Sequence, residues 1–398
     1  MSRTITLFLL ILSGLAYGQI LQKSHLGPGI TYYHEFRASG PWHIHVLEID
    51  LKVQGNHLET ALAQDKIKDL EKTSSMAARN NYQNHHVVAA INGDFFEADG
   101  MPVGSQVLNG ILIKSPTDCS IFGISKKMKP FIDIVSFQGW LWTDDKSSFS
   151  INGVNERRDV DELIIYNKYF GVSSATNRWG IEITAESLSP NIFVNDTFYV
   201  KVTAKDSSMA AYSGNNEIPS KGVILSGHGV AAIFLNNHIN INDTLAILLQ
   251  LLPQQDSILE LIGGLPRLIR NGKVSVEWAE ENIYESFVKN RHPRTAIAFS
   301  QDSSIIYFFT IDGRQPDYSV GMSLYELAYY MLEWHAFQGL NLDGGGSTTM
   351  VVGNKVVNSP SDPEGERAVA NAILIINTLA TVDTAAFFIN TDQSSKKE

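Results

Sequence analysis

Two aspartates stand directly before glycines, in a pattern suited to hydrolysis of a negatively charged substrate. Asp312 begins an Asp-Gly-Arg triplet that ends at Arg314, and Asp343 precedes three glycines and Ser347. A carboxylate can act as a base or a nucleophile. Glycine amides can face an anion because no Cβ blocks the approach, although a tight turn would also explain the glycines. These segments predict a site that combines carboxylate chemistry with anion binding.

Arginines near predicted strand ends are candidates for binding phosphate. The planar guanidinium forms paired hydrogen bonds to phosphate oxygens, and its alternative role is to neutralise a neighbouring aspartate. Together these arginines predict a local positive pocket for a phosphorylated substrate. The four candidates are Arg267, Arg294, Arg314 and Arg367.

The elements around these residues indicate how they would be positioned. Arg294–Phe299 and Ile305–Ile311 are rich in β-branched and aromatic residues and predict a hairpin. Ser323 and Glu326 have the spacing of a capping box, which predicts the start of a helix, and Gly339 is a suitable residue to end it. A short strand follows, so the order is strand, helix, strand.

That order predicts a crossover that leaves its two strands parallel, with their carboxyl ends at one edge of the sheet. Asp312 and Asp343 each follow one of these strands directly, so we expect them to meet at that edge, where ligands of open sheets bind. The buried strand predicted over residues 86–91 runs into Asn92 and Asp94. These two residues join the site if that strand lies in the same sheet with the same direction.

The predicted fold is α+β (mixed α/β), with a large mixed β-sheet core, packed helices and one βαβ crossover that carries the site loops. A helix is predicted over residues 67–82 and a strand over residues 193–202. No repeat or linker divides the chain. We therefore expect one domain over residues 19–391 and a disordered tail over residues 392–398.

The amino terminus has the pattern of a secretory signal peptide over residues 1–18. Arg3 precedes an apolar run, and Ala16 and Gly18 are small residues at the positions expected before a cleavage site. The apolar run is shorter than a membrane-spanning helix. We therefore expect a secreted or periplasmic protein with no stable membrane anchor after cleavage.

Composition excludes several classes of partner and of metal site. A net charge of −11 argues against nucleic acid as a partner, because phosphate backbones need a concentrated basic face. Cys119 is the single cysteine, which excludes an internal disulfide and any metal site built from several cysteines. The 11 histidines do not have metal-site spacing. His228, between two glycines, is retained as a candidate acid, base or phosphate donor.

Several further motifs complete the pattern, and together they resemble the phosphodiester glycosidase family over most of the chain. They are Asn92-Gly-Asp-Phe-Phe, Gly263-Gly-Leu-Pro-Arg-Leu, Pro293-Arg-Thr-Ala, Asp312-Gly-Arg-Gln, Gly321-Met-Ser-Leu-Tyr-Glu-Leu, Asn341-Leu-Asp-Gly-Gly-Gly-Ser-Thr-Thr and Asn358-Ser-Pro. The resemblance also includes a basic position before the last strand, matched by Arg367.

The resemblance implies a hydrolase that cleaves the glycosidic bond of a sugar-1-phosphodiester and releases free sugar and a phosphate monoester. The partner would be a glycosyl phosphodiester or an envelope glycan. The catalytic candidates are Asp312, Asp343, Asp94 and Asn92. The substrate-binding candidates are Arg294, Arg314, Asn341, Gly344, Gly345, Gly346, Ser347, Gly264, Arg267, His228 and Arg367.

Two alternatives remain open at this point. The aspartates could instead hold Ca²⁺ or Mg²⁺ in a metal-dependent phosphodiesterase, although no cofactor is firmly predicted and no metal ligands are assigned. The chain could also bind envelope glycans without turnover. Carboxylate spacing decides between retention and inversion of the sugar, and the sequence does not give that spacing.

Overall fold

The computed structural model describes residues 18–189, 192–206, 214–255 and 257–379. The predicted leader, apart from Gly18, and the predicted tail lie outside the described residues. The described part of the chain contains no helix that is both long and apolar enough to cross a membrane.

The described residues form 28 strands, which we number in chain order. The first fourteen are β1 (Gln19–Gly27), β2 (Ile30–Arg37), β3 (Trp42–Asp50), β4 (Asn56–Leu62), β5 (Glu71–Lys72), β6 (His86–Asn92), β7 (Gln106–Leu108), β8 (Ile111–Lys114), β9 (Ser120–Ser125), β10 (Pro130–Ile134), β11 (Ser136–Trp142), β12 (Ser148–Ile151), β13 (Gly153–Val154) and β14 (Leu163–Asn167). The others are β15 (Ile181–Ser187), β16 (Thr197–Lys205), β17 (Gly222–Gly227), β18 (Thr244–Leu252), β19 (Ile258–Gly263), β20 (Arg267–Arg270), β21 (Lys273–Val274), β22 (Arg294–Phe299), β23 (Ile305–Ile311), β24 (Gln338–Leu342), β25 (Met350–Val352), β26 (Lys355–Val356), β27 (Ala368–Val369) and β28 (Asn371–Asn377).

Helices are few and short in the part of the chain that the structure describes. The four α-helices are α1 (Thr73–Arg79), α2 (Val230–His238), α3 (Glu285–Lys289) and α4 (Leu324–Glu333), and two 3-10 turns cover Ala63–Asp65 and Gly345–Ser347. The predicted capping box is present at α4: the Ser323 hydroxyl accepts from the Glu326 backbone N–H, and the Glu326 carboxylate accepts from the Ser323 N–H.

The prediction of an α+β fold with one large mixed β-sheet core and packed helices is wrong. The molecule is mostly β, and its strands form several sheets rather than one large mixed sheet. The predicted helix over residues 67–82 shrinks to the seven residues of α1, because Glu71 and Lys72 pair as a strand with Val369 and Ala368. Most short apolar segments satisfy their backbone groups in ladders instead of helices.

The eight strands of sheet I carry the predicted crossover, in the order β1-β2-β3-β23-β22-β24-β20-β21. The strands β22 and β23 form the predicted antiparallel hairpin. Because β24 is also antiparallel to β22, β23 and β24 are parallel to each other, as predicted, with β22 between them. Their carboxyl ends therefore lie at the same edge of sheet I.

Two layers of apolar side chains cover the two faces of sheet I. On one face, Phe309 and Ala296 pack with Leu327 and Met331 of α4. The other face packs against two five-stranded sheets, which we name sheet III (β26-β25-β6-β28-β4) and sheet IV (β10-β9-β19-β7-β8). This second core fixes the position of the edge of sheet I relative to sheet III.

A second eight-stranded sheet, sheet II, has the order β12-β11-β18-β16-β15-β17-β14-β13. Its apolar face packs on residues of sheet IV, including Val107 and Leu261. The predicted strand over residues 193–202 is present as β16, shifted to Thr197–Lys205. Sheet II holds none of the predicted residues except His228, which follows β17 directly.

Candidate active site

Two strand ends and one strand start meet at one edge of sheet I, which we call the rim. Ile311 of β23 pairs with Arg294, and Leu342 of β24 pairs with Thr295, so Asp312 and Asp343 follow neighbouring positions across three strands. Neighbouring strands lie about 4.8 Å apart, so the backbones of the two aspartates lie about 10 Å apart. The structure therefore brings together the two carboxylates that the crossover predicts.

Asp343 has the environment of a reactive carboxyl. Its Oδ1 accepts a 2.8 Å hydrogen bond from the Gly344 N–H. Burial raises the pKa of Asp343 to about 6, and the Ser347 hydroxyl, the Gly344 N–H and the guanidinium groups of Arg367 and Arg314 limit this rise. The carboxyl therefore changes its protonation state near pH 6, where a small change in its environment decides whether it is charged.

The glycines after Asp343 form a tight turn between two arginines. Gly345 has a φ of +61°, and a Cβ there would lie 3.0 Å from Nη2 of Arg314. A Cβ on Gly344 would lie 2.7 Å from the Pro293 carbonyl oxygen. Glycine is therefore required both for the left-handed backbone and for the close approach of the guanidinium.

Arg314 is the exposed arginine of this turn. Its φ of +60° lies in the left-handed region, which arginine rarely adopts. No carboxylate of the described residues forms a salt bridge with it, so its donors face the rim without a protein anion. Such local strain often occurs at functional sites, where the surroundings hold a side chain in a required direction.

Arg367 approaches the same turn from the other side, and part of its guanidinium is already hydrogen-bonded to a carboxylate. Its Nε and Nη2 form a 2.8 Å and a 3.1 Å hydrogen bond to the two carboxylate oxygens of Asp362. A Cβ on Gly346 would overlap Nη2 of Arg367, so this guanidinium lies directly against the glycine turn. Asp362 therefore orients Arg367 beside the glycine turn.

Asp312 is fully buried and fully hydrogen-bonded. Its Oδ1 accepts from Asn358 Nδ2 at 3.1 Å and from the Ser359 N–H at 2.9 Å. Its Oδ2 lies 3.2 Å from Nε2 of His45 and accepts a 3.2 Å bond from the Tyr318 hydroxyl. With four donors around it, this carboxylate is rigidly held and organises the groups beside it.

The four donors around Asp312 also test the alternative in which the aspartates bind a metal ion. The donors around Asp312 present N–H and O–H groups to its oxygens, and these groups occupy the lone pairs that a cation would need. Ca²⁺ and Mg²⁺ require several free oxygen ligands. The residues at Asp312 therefore do not fit a divalent cation.

Asn92 links sheet III to the rim. The condition that the strand over residues 86–91 lies in the same sheet is not met, because β6 pairs with β25 and β28 of sheet III. Asn92 nevertheless reaches the rim: its Nδ2 donates to the Asp343 carbonyl at 2.7 Å. Its Oδ1 accepts from the Thr295 hydroxyl at 2.8 Å and from the Thr349 N–H at 3.0 Å. Asn92 thus connects the backbone at Asp343 to the backbone at Thr349.

Asp94 provides a second carboxyl with a raised pKa near Asp343. It is 1% exposed, and its Oδ2 accepts a 2.7 Å bond from the Gly104 N–H. Burial raises the pKa of Asp94 to about 7; the Gly104 N–H and Lys114 oppose this rise, and the charge of Asp343 adds to it. Two coupled carboxyls with raised pKa values are typical of acid–base sites.

Several buried polar atoms near the rim have no hydrogen-bond partner among the described residues. They include Asp94 Oδ1, Asn341 Oδ1, Thr348 Oγ1 and Thr349 Oγ1. Buried polar groups are normally paired, so a cluster of exceptions marks a position for bound water or a ligand.

Gly264 and Asn341 form the neighbouring wall of the site. A Cβ on Gly264 would lie 2.7 Å from the Asn341 carbonyl oxygen, so the loop before β20 packs directly on β24. Asn341 Nδ2 donates to the Leu265 carbonyl at 2.6 Å, which turns its unpartnered Oδ1 away from that contact.

The structure does not bring three of the predicted binding residues to the rim as free groups. Arg294 is 1% exposed, and its Nε and Nη2 donate to the carbonyls of Met322, Phe287 and Asn290. Arg267 is buried and donates through Nη2 to the Ile132 carbonyl. His228 follows β17 in sheet II, where its backbone N–H donates to the backbone carbonyl of Glu162.

Sequence reasoning missed the donors around Asp312. Asn358 belongs to the Asn358-Ser-Pro motif quoted above, and this was the available signal, but no role was assigned to it. His45 and Tyr318 carry no local signal, because β3 and the turn after β23 come together only through strand pairing.

Two cavities in the described part of the chain lie away from the rim. One of about 500 Å³ is lined in part by apolar residues of sheet II, among them Leu249 and Val223. A polar cavity of about 360 Å³ lies beside Glu59 and His85. Neither is lined by Asp312 or Asp343, so the assignment of the site rests on the chemistry of the rim and not on cavity size.

Comparison with known proteins agrees with these features. Residues 190–376, which include the rim strands and the glycine turn, match the family described as phosphodiester glycosidase. The resemblance to phosphodiester glycosidases is confirmed. The matched segment begins before β16 and ends within β28, so it contains Asp312, Asp343, Arg314 and Arg367.

Curated relatives cover a smaller part of the chain. The human N-acetylglucosamine-1-phosphodiester alpha-N-acetylglucosaminidase is 30% identical over 122 residues, which form 28% of this chain and 23% of the human protein. The mouse protein of the same name is 29% identical over 122 residues. The match thus spans about a quarter of the length of these phosphodiester glycosidases.

Solved structures share the fold over most of the chain. A hypothetical protein from Synechocystis has a TM-score of 0.68 at 20% identity. The match covers 88% of this chain and 62% of the Synechocystis chain. A candidate exported protein from Burkholderia pseudomallei has a TM-score of 0.63 at 23% identity, with 84% of this chain and 74% of that chain covered. These likenesses concern the fold alone.

Proposed function

We propose that the rim hydrolyses the glycosidic bond of a sugar-1-phosphodiester and releases free sugar and a phosphate monoester. The observation that carries this proposal is the position of Asp343. Its carboxyl has a raised pKa and adjoins a glycine turn that lies between two guanidinium groups. One segment thus joins a group that can attack or activate water to groups that can bind phosphate.

The phosphate half of the substrate would bind at the glycine turn. Arg314 has no salt-bridge partner among the described residues, and Asp362 orients Arg367 on the opposite side. A departing phosphate monoester is a weak base, so it needs charge stabilisation more than protonation. Preorganised donors of this kind contribute on the order of several kcal/mol to lowering the barrier.

The sugar half would face the carboxyls. Asp343 in its ionised form acts as nucleophile at the anomeric carbon or as base toward water. Asp94 is the second carboxyl, and its neutral form at pH values below about 7 can donate a hydrogen bond to a sugar hydroxyl. Asp312 is a positioning residue in this proposal, because it orients Tyr318 and Asn358.

Substrate and location are further parts of the proposal. The human relative is named for N-acetylglucosamine-1-phosphodiesters, which makes that sugar the first candidate. The pattern of residues 1–18 and the Burkholderia structure described as a candidate exported protein support action outside the cytoplasm on glycans or their fragments. One catalytic domain over residues 19–391 is proposed because shared cores join the sheets.

Hydrolysis in ¹⁸O-labelled water tests the reaction class. The protein is incubated with N-acetylglucosamine-1-phosphodiesters and with other sugar-1-phosphodiesters, and mass spectrometry locates the label. We expect the label in the anomeric oxygen of the sugar. Label in the phosphate alone would mean that the phosphorus–oxygen bond breaks, which contradicts a glycosidase. Binding of every substrate without any product would favour a glycan-binding module instead.

The variant Asp343→Asn tests the residue that carries the proposal. Its turnover should fall at least about 1,000-fold, because the amide can neither attack nor accept a proton. Asp317→Asn is the matched control, since Asp317 is exposed in the turn after Asp312. Similar turnover in both variants, with circular dichroism spectra like the parent, would remove Asp343 from the mechanism.

A further inference from the structure

Three side chains at the far end of sheet III form a group that the proposed function does not use. His57 and Glu59 lie on β4, and His85 lies in the turn before β6. Nε2 of His57 is 3.0 Å from Oε1 of Glu59, and Nε2 of His85 is 2.9 Å from Oε2 of the same carboxylate. The three ligand atoms lie within 4.8 Å of one another.

The other nitrogen of each ring determines how these contacts can form. Nδ1 of His85 is 2.6 Å from the Asn80 carbonyl, and Nδ1 of His57 is 3.3 Å from the Gly55 carbonyl. A carbonyl oxygen accepts only, so both Nδ1 atoms must carry a proton. In a neutral imidazole, the lone pair of Nε2 then points toward the Glu59 carboxylate, which also offers only lone pairs.

Two lone pairs at 3 Å repel each other unless a positive species lies between them. Two additional protons would make both rings cationic around a single, partly buried carboxylate. A divalent cation would satisfy both nitrogens and the carboxylate at once and leave the rings neutral. The carbonyl contacts at Nδ1 are the outer interactions that orient histidine ligands toward a metal in proteins.

We propose that His57, Glu59 and His85 bind a zinc ion through the two Nε2 atoms and the carboxylate. Two imidazoles and one carboxylate suit Zn²⁺, whereas Ca²⁺ and Mg²⁺ prefer oxygen ligands alone. Bonds of about 2.0 Å in a tetrahedron place ligand atoms about 3.3 Å apart. The two nitrogen–oxygen contacts of 3.0 Å and 2.9 Å would widen by only a few tenths of an ångström, and all three ligand atoms already lie within 4.8 Å of one another.

The surroundings leave room for a fourth ligand. The polar cavity of about 360 Å³ is lined by Glu59 and His85 together with Asn80 and Tyr82. The ring of Tyr82 stacks on His85 with centroids 4.4 Å apart and limits its rotation. A water molecule from this cavity can complete the tetrahedron.

The site is separate from the rim and has a structural role. Glu59 pairs with Leu374 of β28, three residues along the strand from Asn371, whose side chain accepts from the Asp94 N–H near the rim. This places the zinc site about 10 Å or more from that contact. Because β4 is the edge strand of sheet III, the ion would fasten this edge to the turn before β6.

Zinc titration of the chelator-treated full chain tests the proposal without any activity assay. We expect one equivalent of Zn²⁺ to bind and to raise the Tm. His85→Gln and His57→Gln should weaken zinc binding more than about tenfold, since even changes in outer contacts have effects of that size. His238→Gln is the control, because His238 faces a single carboxylate, Asp145. Absence of zinc binding, or equal binding by all variants, would overturn the proposal.

A second measurement uses the parent protein alone, in case the histidine variants do not fold. Diethyl pyrocarbonate modifies accessible imidazole nitrogens, and mass spectrometry identifies the modified histidines. Zn²⁺ should protect His57 and His85 and leave His238 reactive. Equal modification of all three histidines with and without Zn²⁺ would contradict a site at Glu59.

Discussion

The charged residues at the rim are of two kinds: some use their hydrogen-bonding groups within the protein, and others keep groups that can contact a substrate. Asp312 accepts four hydrogen bonds, and Arg294 donates to three backbone carbonyls, so both stabilise the framework. Asp343 and Arg314 retain bonding capacity toward the solvent side. The sequence predicts that all four charged residues lie near strand ends. It does not reveal which of them are hydrogen-bonded within the protein, because the partners of Asp312 and Arg294 come from distant segments.

Arg314→Lys is expected to reduce kcat/KM for a sugar-1-phosphodiester by about tenfold to a hundredfold. A lysine keeps the charge but loses the paired donors, and a hydrogen bond to a charged group contributes about 1.5–3 kcal/mol. Steady-state kinetics measure the change. Arg157→Lys, at an exposed arginine away from the rim, should leave kcat/KM within about twofold. An Arg314→Lys variant as active as this control would exclude Arg314 from phosphate binding.

The pH profile should report the carboxyl of Asp343. Burial raises its pKa to about 6, and the proposed role requires the ionised form. As pH falls through about 6, protonation removes the active form, so kcat/KM should decrease tenfold per pH unit below that value. Initial rates between pH 4 and pH 8 test this. A rate independent of pH down to about pH 4 would contradict an active Asp343 carboxylate with a raised pKa.

At the scale of elements, the crossover was predictable and its surroundings were not. The capping box at Ser323 and the β-prone run of β23 are local signals, and they correctly place Asp312 and Asp343 directly after two parallel strands. The insertion of β22 between those strands follows from hairpin pairing. The extent of α1 could not be predicted, because β5 forms only when residues 368 and 369 supply a partner strand.

The glycine turn can be tested with two variants whose substituted residues have similar left-handed backbone conformations. Gly345→Ala should destabilise the fold by about 1–2 kcal/mol, the cost of a left-handed alanine, and should also lower kcat/KM because its Cβ displaces Arg314. Gly353→Ala has a similar φ of +53° with no atom within 4 Å of the new Cβ.

Urea unfolding and steady-state kinetics on both glycine variants separate the two effects. The Gly353→Ala variant should lose similar stability and keep its activity. Equal activity in both variants would show that the Gly345 turn does not position Arg314 for the reaction.

At the scale of the whole molecule, several sheets share buried carboxyls. Glu260 of β19 is 2% exposed, and its oxygens accept from the Thr60 N–H and hydroxyl and from the Asn109 N–H. It therefore connects sheet IV to sheet III. Burial raises the pKa of Glu260 to about 8, and the hydrogen bonds from Thr60 and Asn109 only partly oppose the rise.

This connection predicts that the free energy of unfolding decreases as pH rises from about 5 to 9. The folded state holds the Glu260 proton more tightly than the unfolded chain, so the stabilisation is complete at low pH and is lost as pH rises through about 8. Urea unfolding at pH 5, 7 and 9 measures it. Glu260→Gln should flatten the slope relative to the parent, while Glu280→Gln, at an exposed site, should not. Identical slopes in the three proteins would refute this role of Glu260.

The order in which strands pair has a consequence for synthesis of the chain. β3 pairs with β23, about 260 residues later, and β4 pairs with β28 near the end of the described chain. Such remote pairing makes folding slow and leaves apolar strands unprotected until the last partner emerges. We therefore expect a ribosome-bound or truncated chain that lacks β28 to remain unfolded and to depend on chaperones.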